Sequence, residues 1–398
     1  MLSSAAKPYI DASVPVLREH GLTITSVFYK NMLRDHPELN NLFNLGNQAN
    51  GSQQQSLASA VFAYAANIEN AAALAPVIER IVHKHVSIGI LPSHYPIVGK
   101  YLLGAIKEVL GEAATPDLIA AWDEAYGLLA DALIAAEARL YQANDGIDHQ
   151  WLSMKVIKKE HVTDDIFSMT LRLNDVNAKL PSFKPGQYIS FSAHIDALGL
   201  QQIRQYSLSD ADNGTTYRVT IKREKGDEYK PQGTFSNWMH QHARIGSVLK
   251  VSHPYGTFAP DVSKQTPIAL ISAGVGVTPM ISIFNTLAKQ NSKRNILFAY
   301  AARSKDHLVH YDEVVAASKQ LEQAKVLVYL NEKNEEGFMH GMMDLTPVIG
   351  SNFADTEYCL CGPLAFMNDQ WKTLLELGVS PHHIHREVFG PESLNHLI

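Results

Sequence analysis

His85 ends a run, Pro76 to Val86, in which Ile78, Ile81 and Val82 share its stripe at helical spacing while Glu79, Arg80, His83 and Lys84 fall elsewhere. An ionisable ring is thereby aimed into an apolar space. Such a histidine either has both nitrogens met by a carbonyl and a hydroxyl, or offers one of them as a ligand. Glu137 sharpens the question, because it aligns with Trp122, Tyr126, Leu133 and Leu140 on the inward face of a late helix. An unpaired carboxylate there would cost several kcal/mol, so a polar group must meet it. Tyr95, beyond Pro92, is a candidate partner for both. Tyr29 shares a face with Leu22 and Thr25, and a buried phenol needs a partner of its own. On a helix from Ser52 to Ile68, Gln53 stands one turn before the apolar stripe of Leu57, Tyr64 and Ile68, at the lip of a pocket.

A second group of candidates lies on turns and strand ends. "RQYSL" carries Arg204, Gln205, Tyr206 and Ser207 on an alternating strand, with "PGQY" ending at Tyr188 upstream and "GTFS", holding Gly233 and Ser236, downstream. "LISAGVGVTPM" follows an apolar strand and opens a helix, with Thr278 placed to cap it and Pro279 in its first turn. Gly274 and Gly276 let backbone N–H groups approach a pyrophosphate at that helix N-terminus. The turn is not a G-x-G-x-x-G, because Pro279 stands at the third position. Cys361 closes the strand "YCLC" before Gly362-Pro363, and the histidines of "HHIH" at 382 to 385 read as a solvated loop, without the companions a metal needs.

The elements that must position these groups fall into three textures. At 398 residues the chain is long enough for three domains. Residues 1–145 are helical in pattern almost throughout; after the polar link "NDGIDHQ", residues 150–260 are short β-rich runs that suggest an antiparallel barrel. Residues 265–398 alternate buried strands with helical segments, as a parallel α/β sheet requires. A net charge of −6 leaves no basic footprint for nucleic acid, so the expected partners are small molecules. Cys359 and Cys361, the only cysteines, are one residue apart and make no disulfide framework, which favours a reducing compartment. "LIAAWDEAYGLLADALIAAEARL" carries acids every two turns or so, and the N-terminus lacks a signal pattern, so a cytoplasmic protein without a membrane span is expected.

The helical region, with Phe43 in "HPELNNLF", Gln53 on one helix and His85 ending another, resembles a globin. The resemblance implies that His85 binds the iron of haem b, that Phe43 packs on the porphyrin, that Tyr29 and Gln53 hold dioxygen on the opposite side and that Leu57 narrows the approach. It also puts Tyr95 and Glu137 beside the second nitrogen of His85. The remainder resembles the ferredoxin-NADP reductases. There Arg204 would meet the FAD pyrophosphate, Tyr206 and Tyr188 the isoalloxazine, and Ser207 its reactive nitrogen, with Gly233 and Ser236 as a second phosphate turn. Gly274 to Pro279 would bind NAD(P)H, Cys361 would lie where the nicotinamide reaches the flavin, and Phe389, following Glu387, would cover the flavin. Lys84, Gln205, Val275, Val277, Val388, Gly390 and Pro391 complete the expected cofactor contacts. Val277 and the longer "KGDEYKPQGTFS" loop depart from the family pattern. Arg303, after "LFAYAA", is either a contact for a 2′-phosphate, which would allow NADPH, or a solvated loop arginine.

Globin, flavin barrel and nicotinamide domain in this order resemble the flavohaemoglobins over essentially the whole chain. A nicotinamide gives up two electrons as hydride while a haem accepts one, so a flavin must lie between them. The family implies a monomeric nitric oxide dioxygenase: NAD(P)H reduces FAD, FAD reduces the haem, and dioxygen held there oxidises nitric oxide to nitrate. An oxygen-binding or sensing globin with a haem reductase, and an NAD(P)H oxidase, use the same residues.

Overall fold

Where the helices begin and end follows from a few side chains. The computed structural model describes residues 1–143, 151–226, 228, 231–332, 334–349 and 355–391. The "NDGIDHQ" link, part of the 225–236 loop and the tail after Pro391 lie outside the described residues. The chain divides into two units, the first holding Met1–Trp151, Ser192–Arg204 and Gly390–Ile398, the second Leu152–Phe191 and Gln205–Phe389.

The first unit carries α1 (Lys7–Asp35), α2 (Leu45–Ala49), α3 (Ser52–Ala66), α4 (Ala71–Ile88), α5 (His94–Leu110) and α6 (Pro116–Gln142). Thr115 caps α6 by accepting from Leu118 N, with Pro116 at the first helical position. Helix α4 begins at Ala71 and not at Pro76: the Asn70 side chain accepts from Ala73 N, and Pro76, still near the start, forgoes one bond to the Ala72 carbonyl. Gly89, at φ +83°, ends the helix in the left-handed conformation, while Ile90 N donates to His85 O at 3.0 Å. His85 is therefore fixed in a last, well-closed turn. A core of Ile10, Ile24, Phe28, Met32, Phe62, Leu102, Ile106 and Trp122 joins α1, α3, α5 and α6.

The antiparallel sheet comprises β1 (Leu152–Thr163), β2 (Ile166–Leu173), β3 (Tyr188–Ile195), β4 (Leu200–Ser207), β5 (Tyr217–Lys222) and β6 (Val248–Val251), in the order β4-β3-β6-β1-β2-β5. An isolated bridge from Leu208, just past β4, to Val219 on β5 draws the two ends of this order together, as in a barrel. Between β5 and β6 lies α7 (Thr234–His242), whose final carbonyls at His240 and Ala243 accept from the Lys159 ammonium at 3.2 and 2.7 Å.

The parallel sheet comprises β7 (Ile268–Ala273), β8 (Ile296–Ala302), β9 (Ala324–Leu330), β10 (Met339–His340), β11 (Glu357–Cys361) and β12 (Ile384–Glu387), in the order β10-β9-β8-β7-β11-β12. With them run α8 (Val277–Lys289), α9 (Tyr311–Ser318) and α10 (Leu364–Glu376). Alternation along β7 feeds two cores: Ile268 and Leu270 pack with Ile281, Phe284 and Phe298, while Ala269 and Ile271 pack with Leu360, Met367 and Leu374. Both faces are covered, as a parallel sheet demands. The stretch "HHIH" is only partly a loop: Ile384 and His385 open the edge strand β12, pairing with Tyr358 and Cys359. Among the described residues no helix is long and apolar enough to cross a membrane.

Among the described glycines within α1 to α6, Gly99 on α5 has the least room for a side chain. A Cβ there would lie 2.6 and 2.9 Å from the Tyr126 ring, and the Tyr126 hydroxyl holds that ring in place by donating to Tyr95 O at 2.6 Å. Gly99→Ala is expected to lower stability by about 1–3 kcal/mol through overpacking, read as an earlier urea midpoint. An unmoved midpoint would show that the ring yields freely.

Candidate functional site

Three helices of the first unit converge on one carboxylate. His85 on α4, Tyr95 on α5 and Glu137 on α6 meet so that His85 Nδ1 lies 2.8 Å from Glu137 Oε1, and the Tyr95 hydroxyl lies 2.6 Å from that oxygen and 3.1 Å from Nδ1. Glu137 is 2% exposed. Its Oε1 can only accept, so Nδ1 carries a proton and donates, and Tyr95 donates its own hydrogen to the same oxygen. The tautomer is thereby set, and Nε2 keeps its lone pair and makes no hydrogen bond within the described protein. Burial first, and the adjacent Glu137 second, push the Tyr95 phenol well above the ordinary range. Glu137 Oε2 is buried and has no hydrogen-bond partner among the described residues. An imidazole with one nitrogen committed and the other keeping its lone pair fits the residue that would hold a haem iron.

On α1 and α3, Gln53 Nε2 donates to the Tyr29 hydroxyl at 3.3 Å. Burial pushes the Tyr29 phenol up to about 12, with the Gln53 bond pulling the other way. The Tyr29 ring meets Phe28 edge-on at 4.8 Å and Phe43 at 5.5 Å. Its oxygen accepts from Gln53, so the phenolic hydrogen is left for something else to receive. Leu57 packs against the same core. Thr25 is buried and donates to Gln54 O at 2.9 Å, but Leu22, expected on the Tyr29 face, is 53% exposed because that turn of α1 has no cover.

Strand β4 carries the "RQYS" residues. Within the first unit, Arg204 Nη2 donates to Asn44 Oδ1 at 2.8 Å, and Lys84 Nζ donates to Gly390 O at 3.4 Å. Within the second, the Tyr206 ring lies 5.8 Å from Phe191 and 6.4 Å from Phe235, and the Tyr188 ring lies where a Cβ on Gly256 would come within 3.0 Å. Gln205 is half-buried beside them. Ser207 Oγ is buried without a partner among the described residues. That orphaned hydroxyl fits a ligand atom such as a flavin ring nitrogen or oxygen. Gly233 is the residue before α7, and Ser236 Oγ accepts from Glu224 N at 3.1 Å and donates to Gly233 O at 3.2 Å, so the turn is braced by its own serine.

The glycine turn differs from expectation in one respect. Gly274–Gly276, with Val275 between, forms a 3-10 turn that runs straight into α8 at Val277, and Gly276 is already helical at φ −62°. No extended residue remains to act as a cap, so Thr278 lies inside the helix and donates to Val275 O at 3.0 Å, followed by Pro279. The N-terminal N–H groups of α8 thus receive no side-chain cap, an arrangement that suits a phosphate. A Cβ on Gly276 would lie 2.4 Å from Cys361 O and 2.7 Å from Gly362 N. What Cys361 brings to the turn is therefore its backbone; its thiol is fully buried in the core, and that burial raises it well above the ordinary thiol range. Glu387 pairs beside Cys361 at the end of β12, Val388 packs into the adjacent core, Phe389 is 48% exposed, and Gly390 and Pro391 are half-buried. Arg303 is exposed beyond β8.

Sequence reasoning missed Asn44, the role of Tyr126, which it placed only on the inward face of its helix, and Gly99. Asn44 was findable as an N-cap before "LGNQA", since its Oδ1 accepts from Gly46 N and Asn47 N. No local signal marks the other two, whose contact joins distant helices.

The globin family model matches residues 26–133, the oxidoreductase FAD-binding domain model residues 153–259 and the oxidoreductase NAD-binding domain model residues 270–372. The flavohemoprotein of Rhizobium meliloti is 42% identical over 402 residues, covering 98% of this chain and 99% of that one. The flavohemoprotein of Chromobacterium violaceum is 44% identical over 400 residues, covering 98% of each. The crystal structure of a flavohemoglobin from Malassezia yamatoensis with bound FAD and heme superposes with a TM-score of 0.87 at 34% identity, covering 98% of this chain and all of that one. The flavohem-like FAD/NAD-binding domain of a nitric oxide dioxygenase from Vibrio cholerae matches 60% of this chain and 99% of its own, at 34% identity and a TM-score of 0.56. Identity at this level across nearly the full length of both chains shows that the chain belongs to the flavohemoproteins, oxidoreductases in which a globin receives electrons from an FAD- and NAD-binding reductase module.

Proposed function

We propose that the chain is an NAD(P)H-dependent nitric oxide dioxygenase that converts nitric oxide and dioxygen to nitrate. When bound, the nicotinamide supplies a hydride, FAD divides it into single electrons, and haem iron provides the place where the two gases meet. His85 would hold the iron through Nε2, and Phe43 and Leu57 would line the haem. Tyr188, Gln205, Tyr206, Ser207 and the Gly233–Ser236 turn would hold FAD, and Arg204 would meet its pyrophosphate; Lys84 and the 387–391 segment would complete the cofactor contacts. Gly274 to Pro279, with the backbone of Cys361, holds the nucleotide. The Vibrio cholerae relative named a nitric oxide dioxygenase supports the reading for the reductase half.

The observation that carries the proposal is the pairing of Gln53 with Tyr29. Gln53 occupies the phenol oxygen and leaves the phenol hydrogen for a small, partly anionic ligand in a buried place, which suits dioxygen. On the other side, Glu137 accepts the Nδ1 proton of His85, gives the imidazole anionic character and makes it a stronger electron donor. Nitric oxide, dioxygen and one electron together make nitrate, so each NAD(P)H supports two nitrates. The reading requires nitrate to form in that ratio at a rate far above background NADH oxidation; NADH consumption without nitrate would identify an oxidase instead.

Tyr29→Phe removes one charge-assisted hydrogen bond, worth about 1.5–3 kcal/mol, and is expected to speed dioxygen release roughly ten- to a hundredfold while haem is retained. The phenol is a donor only while protonated, and burial moves that limit from 10 up to about 12. In the wild type, dioxygen release in stopped flow should therefore stay level as pH rises through the ordinary tyrosine range, and rise only on approach to the higher value. A rise centred on the ordinary value would mean that Tyr29 is not the donor.

Glu137→Gln is expected to lower the Fe–His stretching frequency in resonance Raman of the ferrous, ligand-free protein and to slow turnover with haem retained. A spectrum identical to wild type would refute the electron-donating role of Glu137.

A further inference from the structure

The turn that carries Phe43 is stitched to the strand that carries Arg204 by three hydrogen bonds. Gln201 N donates to Asn41 Oδ1 at 2.8 Å, Gln202 Nε2 donates to Asn40 O at 3.2 Å, and Arg204 Nη2 donates to Asn44 Oδ1 at 2.8 Å. All of these residues belong to the first unit, although Gln201, Gln202 and Arg204 lie on β4, far along the sequence. Asn44 does two things with one oxygen. It caps α2 by accepting from Gly46 N at 3.0 Å and Asn47 N at 3.4 Å, and it takes the shorter, charge-assisted bond from Arg204. The Arg204 fork is oriented further by Ile203 O at 2.7 Å from Nη1 and Gln202 Oε1 at 3.2 Å from Nη2.

A guanidinium recognises phosphate by the direction of its planar fork, so a residue that fixes the fork fixes how well it binds. We propose that Asn44 is a positioning residue for FAD, acting through Arg204 and tying the flavin-binding strand to the Phe43 turn. The inference rests on the reading that Arg204 meets the FAD pyrophosphate and Phe43 the porphyrin. Phe43 directly precedes Asn44 and packs on Tyr29, so the same turn sits between the haem-side aromatic residues and the strand that continues to Tyr206. Whatever orders Arg204 then also orders the haem-side turn, and by linkage the reverse holds.

The capping role and the Arg204 role are separable. Asn44→Ser keeps a cap oxygen for α2 but is too short to reach Arg204, whereas Asn44→Asp keeps both. In the full-length haem protein, titration with FAD followed by flavin fluorescence should give Asn44→Ser a dissociation constant raised roughly tenfold or more, with Asn44→Asp close to wild type. In an Arg204→Ala background, Asn44→Ser should add nothing further. Wild-type FAD affinity in Asn44→Ser, or a full additional loss in the Arg204→Ala background, would overturn the proposal. If Arg204→Ala itself left FAD affinity unchanged, the assignment of Arg204 to the pyrophosphate would fall, and the role of Asn44 with it.

Discussion

A carboxylate that water cannot reach must be answered by hydrogen-bond donors, and the arrangement around Glu137 is built on that requirement. Two donors, His85 Nδ1 and the Tyr95 hydroxyl, converge on Oε1 from two other helices. Each arrives because something behind it is fixed. The closing turn of α4 at Gly89 sets His85, and Tyr126 holds the backbone of Tyr95 from a position that only a glycine at 99 allows. Removing any of these would leave the charge partly unmet, which costs more than any single bond contributes. The helical packing and the local chemistry are therefore one constraint, since the contacts that answer Glu137 Oε1 also decide which nitrogen of His85 keeps its lone pair.

The nucleotide-binding end of the parallel sheet relies on close backbone approach in place of side-chain hydrogen bonds. Gly276 touches the Cys361 carbonyl, and a Cβ on Gly362 would come within 2.9 Å of the Phe366 ring and 3.2 Å of Ala273. Two strand-to-helix turns, after β7 and after β11, are thus held against each other with no side chain between them. Their N–H groups gather at one sheet end, which is where an open α/β sheet binds its ligand. The absence of a side-chain cap on α8 belongs to the same design, because a cap would occupy the donors that a phosphate uses.

Much of this was legible from periodicity. The stripes that hold His85 and Glu137, the change from helical to alternating pattern, and the apolar strands β7, β8, β9 and β11 are all short-range signals, and the structure has elements at those places. The misses share a physical cause. Thr278 reads as a cap because Thr before an apolar run normally is one; only the helical backbone of Gly276 shows that no capping position exists. The start of α4 at Ala71 depends on a cap from Asn70 outweighing the proline signal at 76. Strand β12 hides in a histidine run because an edge strand turns polar residues to solvent. The bond between Asn44 and Arg204 joins positions 160 residues apart, and no window along the chain contains both.

One device recurs at the three chemically important atoms. His85 Nε2 keeps its lone pair because Nδ1 is committed to Glu137; the Tyr29 hydrogen is available because its oxygen is committed to Gln53; Ser207 Oγ is buried and left unpaired. In the first two cases the surrounding hydrogen bonds specify not only which residue keeps an unused group but which atom, and in which role as donor or acceptor. A buried polar atom without a partner is a standing cost of about 1–3 kcal/mol, which a bound ligand atom relieves. A ligand atom bound at any of these atoms would link its own binding to the stability of the fold.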